Sequence, residues 1–174
     1  MALTAAMVAA VALANVLMPI ELLPSLSAGT PVIAVTFLIN ELAHRRYGPR
    51  VARQVVWRGF CAALVLSAAV APTRVALASA SAFLASQLLD IAIFRRLRQA
   101  SWWLGPLLAS AAASSLDTAV FFVLAFAGSE LPWLWFAASD WAVKLALDLL
   151  LLLPFRAAMR RERRSAGSLT MSAA

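Results

Sequence analysis

The sequence predicts an all-α integral membrane protein, a bundle of six transmembrane helices with both termini on the cytoplasmic side. Three observations carry this reading. Of 174 residues, 63% are hydrophobic and 13% charged, against about 45–50% and about 25% in soluble domains. Mean hydropathy is +0.86. The basic residues, which give a net charge of +7, gather in clusters between or after apolar runs. At about 20–25 residues per crossing, the chain holds about six or seven helices and leaves no room for a soluble catalytic domain. With 6 Gly and 8 Pro in so apolar a chain, collagenous and disordered classes are excluded as well.

The elements follow in order. The first apolar run, 2–22, has no Lys or Arg ahead of it. It lacks the charged leader of a cleaved signal peptide and reads as the first span, closed by Pro19 and Pro24. The runs 28–44, 51–72, 74–95, 102–128 and 132–156 follow, punctuated by Tyr47-Gly48-Pro49, by Ala71-Pro72 and by Gly128 through Pro132. Lipid offers backbone groups no other partner, so each run must be helical. Arg45, Arg46, Arg50 and Arg53 follow the second run, Arg95, Arg96 and Arg98 the fourth, and Arg156, Arg160, Arg161, Arg163 and Arg164 the sixth. The alternate loops carry Arg74, Glu21 and Glu130. The positive-inside rule then makes every basic cluster cytoplasmic. Trp102 and Trp103 mark one interface, Trp133 and Trp135 the other. A transmembrane domain over 1–159 and a basic, disordered cytoplasmic tail over 160–174 are expected. Such basic loops suit an anionic bilayer surface as partner rather than nucleic acid. The single cysteine, Cys61, excludes a disulfide framework and a metal cluster and reads as a small buried hydrophobe.

Ionisable groups inside spans are costly, and each is a functional candidate. Here they are Glu41, Asp90, Asp117, Asp140, Lys144 and Asp148, accompanied by Asn15, Asn40 and Gln87. At 1.5 Å per residue, Gln87, Asp117 and Lys144 lie about 16–20 Å below the outer ends of their spans, Asp90 roughly 5 Å deeper than Gln87, and Glu41 near mid-depth. A shared middle layer is the usual place for a transporter site. Ser79, Phe83, Ser86, Gln87, Asp90 and Phe94 recur on one face of the fourth span, as Ser110, Ser114, Asp117 and Phe121 do on the fifth. The stretches 89–94 (LDIAIF) and 116–121 (LDTAVF) resemble one another. On antiparallel spans they suggest an inverted repeat with a site at its seam, against a background of chance matches in an Ala- and Leu-rich chain. Asp140, Lys144 and Asp148 stand four residues apart, a spacing that neutralises charge along one helix face without excluding a cavity role. Acceptor carboxylates, amide and hydroxyl donors, and the flat walls of Phe83, Phe94, Phe121 and Trp141 suit a planar heterocycle. The residues alone are equally consistent with a small amine or a vitamin.

The pattern Ala78-Ser79-x-x-Ala82-Phe83-Leu84-x-Ser86-Gln87-x-x-Asp90-x-x-x-Phe94, then Ser110 through Asp117-Thr118-x-x-Phe121 and Ala125-Phe126, resembles the queuosine precursor transporter family, the vitamin-uptake-transporter-like (VUT) proteins. Tyr47-Gly48, Ala52-Arg53, Val56-Trp57-x-Gly59-Phe60, Lys144 and Pro154 extend the likeness over about residues 31–156. Where the family often has Thr-Asp, and later Glu, before the loop glycine, this chain has Asn40-Glu41 and Arg45. Where the family often has Ser-Gln in the second block, it has Ala113-Ser114. The resemblance implies a six-span protein of the bacterial inner membrane that imports 7-deazaguanines (7-cyano-7-deazaguanine, 7-aminomethyl-7-deazaguanine or queuine) for queuosine in tRNA. It implies that Asp117 or Asp90 clamps the donor edge of the base and that Gln87 serves the O6 or pyrrole side. Asn15, Asn40, Glu41, Lys144, Ser86, Ser110, Ser114, Phe83 and Phe121 complete the wall.

No catalytic residue, cofactor or metal is expected: His44 is the one histidine, and no Gly-x-Ser-x-Gly occurs. The rival is the substrate-binding subunit of an ATPase-driven vitamin importer. It too would have six spans, and Ala6, Ala10 and Ala14 could form its docking stripe, although ordinary helix packing explains that stripe as well. The chain has no phosphate-binding loop of its own. A second copy of the chain is a candidate partner.

Overall fold

In a computed structural model of the protein, the boundaries from the second helix to the start of the sixth fall near the punctuation read from the sequence, while the first helix ends earlier and the sixth later than the apolar runs. The backbone is described for residues 2–23, 26–97, 99 and 101–171, and side chains for the same residues except 23, 70 and 160–171. The expected tail, 160–174, therefore lies outside the residues whose side chains are described. The elements are α1 Ala2–Leu17, β1 Glu21–Leu23, β2 Leu26–Ser27, α2 Gly29–Tyr47, α3 Pro49–Val70, α4 Thr73–Leu97, α5 Leu104–Phe126 and α6 Trp133–Met171. The fold is all-α but for one small hairpin.

The α2–α3 corner follows from two residues. Gly48 takes φ 85°, a left-handed conformation open to glycine, and Pro49 opens α3 at the position where a missing N–H costs nothing. The first helix is shorter than its apolar run. It stops at Leu17 because Pro19 disfavours helix at the residue before it, and the chain folds back through β1 and β2. Ser27 stitches this turn: its hydroxyl donates to the Met18 carbonyl at 2.8 Å and accepts from Gly29 N–H at 3.0 Å. At the same end of the molecule Arg74, at the start of α4, donates to the carbonyls of Leu124 (2.8 Å) and Ala127 (2.7 Å) where α5 ends. Pro154 sits inside α6.

The interior is built from small residues and a few large ones. Met7, Val11, Ile39, Val55, Val56, Phe83 and Ile91 join α1 to α4 in one apolar cluster. Gly59 lets α3 approach closely, since a Cβ there would lie 2.7 Å from Met7 Cγ and 3.2 Å from the Phe83 ring. Phe94 meets His44 and Phe155 edge to face at 4.9 and 6.4 Å near the end where α2 and α4 finish in arginines. We call this the arginine end. There the Arg156 guanidinium lies 4.8 Å from the Trp102 ring centre.

Polarity is inverted relative to a soluble domain. Asn40, Gln87, Asp90 and Lys144 are buried, while Val16, Leu134, Trp135 and Leu153 are about two-thirds exposed. Large apolar side chains exposed on the outside of a bundle that buries charged and amide groups are membrane-like. By length and composition α3, α4 and α5 can each cross a bilayer, and α1 is apolar but has 16 residues. Polar residues dilute the hydropathy of α2 and α6. Cys61 departs from expectation: it is exposed, not buried. It stands between Trp57 and Val65, four residues from each, on the outer face of α3.

Candidate functional site

All six helices contribute to a cavity of about 110 Å³ between them, lined by Asn15, Thr30, Phe83, Asp117, Phe121, Asp140 and Lys144 among others. Its polar floor is one connected network. Lys144 Nζ donates to Asp117 Oδ2 at 2.8 Å, to Thr118 Oγ1 at 3.2 Å and to Asp140 Oδ2. Thr118 in turn donates to Asp140 Oδ2 at 2.8 Å, and Thr30 donates to Asp140 Oδ1 at 2.8 Å. Ser86 reaches Asp117 Oδ1 at 3.2 Å. All three ammonium protons are thus placed on oxygens from α5 and α6. A buried ion pair is tolerable only when its remaining hydrogen bonds are filled in this way.

The walls are apolar or amide. Phe83 and Phe121 flank the floor. Asn15 faces it from α1, held by Ser67, which donates to its Oδ1 at 2.7 Å, and by its own donation to the Val11 carbonyl at 2.9 Å. One amide proton of Asn15 stays uncommitted. A second cavity of about 200 Å³ adjoins the first and shares Asn15, Met18, Ile33, Ser79 and Phe121 with it.

A second polar layer lies toward the arginine end and is closed off from the cavity. Asn40 Nδ2 donates to Asp90 Oδ2 at 2.7 Å and to the Gln87 carbonyl at 3.2 Å. Gln87 Nε2 donates to Thr36 at 2.7 Å, and Ser114 donates to Asp148 Oδ2 at 2.9 Å. Glu41, Ser110 and Asp148 line a void of about 10 Å³. Ser110 gives its proton to the Pro106 carbonyl at 2.9 Å.

The middle layer read from the sequence therefore resolves into two. Asn15, Phe83, Asp117, Phe121 and Lys144 line the cavity, and Ser86 touches it through Asp117. Asn40, Glu41, Gln87, Asp90, Ser110 and Ser114 stand in the second layer. Glu41 is about 9 Å from the end of α2, deeper than mid-span. Neither Phe94 nor Trp141 forms a wall: Phe94 is packed among aromatic rings, and the half-exposed Trp141 donates its N–H to Ser115 at 2.8 Å. Two further members of the floor are Thr30 and Thr118, both donating to Asp140. A threonine opening an apolar helix has no local signature, but Thr118 adjoins Asp117 in the repeated stretch and could have been found there.

Chemically, the cavity offers two carboxylates and a lysine on one side and aromatic rings beside them. It suits a small, flat, hydrogen-bond-donating molecule. Among the described residues no group of three or more His, Cys, Asp or Glu could hold a metal ion.

Comparison with known proteins gives consistent similarities. A family model described as "Putative vitamin uptake transporter" matches residues 69–159. A "Probable queuosine precursor transporter" of Haemophilus influenzae is 30% identical over 152 residues, covering 72% of this chain and 65% of that protein. The "Queuosine precursor transporter" of Escherichia coli is 30% identical over 146 residues, covering 68% and 65%. A "Probable queuosine precursor transporter" of Bacillus subtilis is 28% identical over 152 residues, covering 70% and 66%. The chain thus matches just under two thirds of the length of each. No solved structure matches it.

Proposed function

This chain belongs to the "Putative vitamin uptake transporter" family, and from that membership we propose that it imports queuosine precursors across the bacterial inner membrane. The substrates are 7-cyano-7-deazaguanine, 7-aminomethyl-7-deazaguanine or queuine, destined for queuosine in tRNA. The observation that carries the reading is the Asp117–Lys144–Asp140 floor between Phe83 and Phe121. The names of the three relatives support the substrate class.

In this proposal a 7-deazaguanine enters flat against Phe83 and Phe121. Its N1–H and exocyclic amine are both donors, and Asp117 accepts them. Lys144 and Ser86 leave each oxygen of that carboxylate a lone pair to spare. Asn15 offers its uncommitted amide proton to the carbonyl edge. The residues of the second layer support this floor from the arginine end. All six helices cross the bilayer, with the arginine end and both termini in the cytoplasm. The stretches 89–94 and 116–121 are equivalent parts of an inverted repeat, and residues 1–159 form the transport domain, followed by the basic tail.

The test is complementation. Expressed in a bacterium that lacks both its own route to the 7-deazaguanine precursor and its own importer, the protein should restore queuosine in tRNA when 7-cyano- or 7-aminomethyl-7-deazaguanine is supplied at low concentration. Excess guanine should compete weakly, because it keeps the donor edge but differs at a single polar ring position, a difference worth roughly 1–3 kcal/mol. No rescue by a well-expressed protein would end the assignment. Rescue that needs a co-expressed ATPase module would instead make the chain a substrate-binding subunit.

A further inference from the structure

The second polar layer is short of hydrogen-bond donors. Buried without a donor are Asn40 Oδ1, Glu41 Oε1, Gln87 Oε1, Asp90 Oδ1 and Asp148 Oδ1. Asn40 and Gln87 are fully buried. Asn40 Nδ2 already serves Asp90 and the Gln87 carbonyl, and Gln87 Nε2 serves Thr36 while its second proton reaches none of these oxygens. The three carboxyl groups are gathered from three helices, and Glu41 lies within electrostatic reach of both Asp90 and Asp148. Orphaned acceptors in a low-dielectric interior are expensive, and each invites a missing donor.

Three sources could supply it, a water, a metal cation or a proton, and a single water has two hydrogens for five orphaned oxygens. The void beside Glu41 and Asp148 is about 10 Å³, at most room for a single water. The described residues offer no metal-holding group. A proton needs no volume, and on a carboxylate oxygen it turns an acceptor into an O–H donor that an orphaned neighbour can accept.

We propose that Glu41, Asp90 and Asp148 form a proton-binding site, distinct from the cavity, through which transport is coupled to the proton gradient. One proton arrives from the outer aqueous phase, sits on a carboxylate oxygen of the cluster, and leaves to water at the arginine end, so that one H⁺ crosses with each substrate. The titratable groups around it are Glu41 and His44 on α2, Asp90 on α4, Asp117 on α5, and Lys144 and Asp148 on α6. Two short links join this layer to the cavity floor. Lys144 stands one turn before Asp148 and interacts with it electrostatically, and Ser86, bonded to Asp117, is the chain neighbour of Gln87. A change of charge in the lower layer therefore alters the hold of Lys144 on Asp117 and Asp140.

The coupling rests on the transport reading above, so the test has two arms. In the first, the full-length protein is reconstituted in lipid without substrate, and infrared spectra are recorded at neutral pH. A protonated-carboxyl C=O stretch should be present, and Glu41→Gln, Asp90→Asn or Asp148→Asn should reduce it. Absence of that band in the unmodified protein, or its persistence in the triple variant, would overturn the proposal.

In the second arm, proteoliposomes are given labelled 7-cyano-7-deazaguanine. With the membrane potential clamped at zero, accumulation should rise about tenfold for each unit of acidity outside over inside. Glu41→Gln and Asp90→Asn should keep binding and counterflow exchange but lose accumulation, with a final ratio near one. Loss of counterflow together with accumulation would return these acids to the substrate site and refute the proton site. Accumulation driven by a sodium gradient alone would refute it too. If the unmodified protein exchanges no deazaguanine at all, the substrate reading falls, while the infrared arm still decides the proton site.

Discussion

At the scale of single residues, Lys144 holds the cavity floor together. Removing one partner of a buried, hydrogen-bonded ion pair commonly costs about 3–5 kcal/mol, because the other charge is left without compensation. Lys144→Met strands Asp117 and Asp140 and should lower the thermal midpoint of the detergent-solubilised protein sharply. Adding Asp117→Asn and Asp140→Asn to it should recover much of that loss without restoring binding. Asp117→Ala should weaken deazaguanine binding about tenfold or more, from about 1–3 kcal/mol for a lost buried partner, as read by fluorescence quenching of the purified protein. Thr30→Val takes one donor from Asp140 and should cost less, about 1 kcal/mol. The candidate residues were legible in the sequence because charge within an apolar run is rare and conspicuous. Their partition was not. Asp90 and Asp117 occupy matching places in the repeated hexapeptide, yet one faces Asn40 in the closed layer and the other faces Lys144 in the cavity. Helical spacing gives a face, and only the packing of several helices decides what that face meets.

At the scale of elements, the boundaries were legible because prolines and glycines act locally. Pro49 starts a helix and Pro72 precedes one whatever lies around them. What escaped was the hairpin after α1 and how early that helix ends, since the apolar run continues to Leu22, past the Pro19 that stops it. The α1–α2 contact is set by Gly29, whose added Cβ would stand 2.7 Å from the Ala14 carbonyl oxygen. Backbone cannot swing aside as a flexible side chain can. Gly29→Ala should therefore force the helices apart, cost about 1–3 kcal/mol of stability, and displace Thr30 from Asp140. A melting curve combined with a binding isotherm checks both effects. At Gly59 the nearest atom belongs to the adaptable Met7 side chain, so Gly59→Ala should be milder.

At the scale of the whole molecule, the inverted polarity and the single arginine end were legible together, because both are sums over many residues. Which helices cross the bilayer is tested from outside the cell. In a Cys61→Ser background, Glu130→Cys should react with an impermeant thiol reagent added to intact cells, and Gln99→Cys should not. The two positions lie in loops at opposite ends of α5, and reversed labelling would invert the proposed orientation.

The short first helix has a consequence for the surrounding lipid. Its 16 residues reach about 24 Å, whereas a typical hydrocarbon core is about 30 Å thick. In the proposed six-span arrangement the bilayer beside α1 pinches inward, or the exposed Met18, Ile20 and Leu22 of the turn fill the shortfall. Beside α4 and α5, at 25 and 23 residues, no such dent arises. A lopsided dent of this kind ties the energy of the protein to acyl-chain length: thinner membranes relax it and thicker ones resist it. Transport measured across a series of lipids should accordingly favour the shorter chains, so that the solvent itself becomes a regulator.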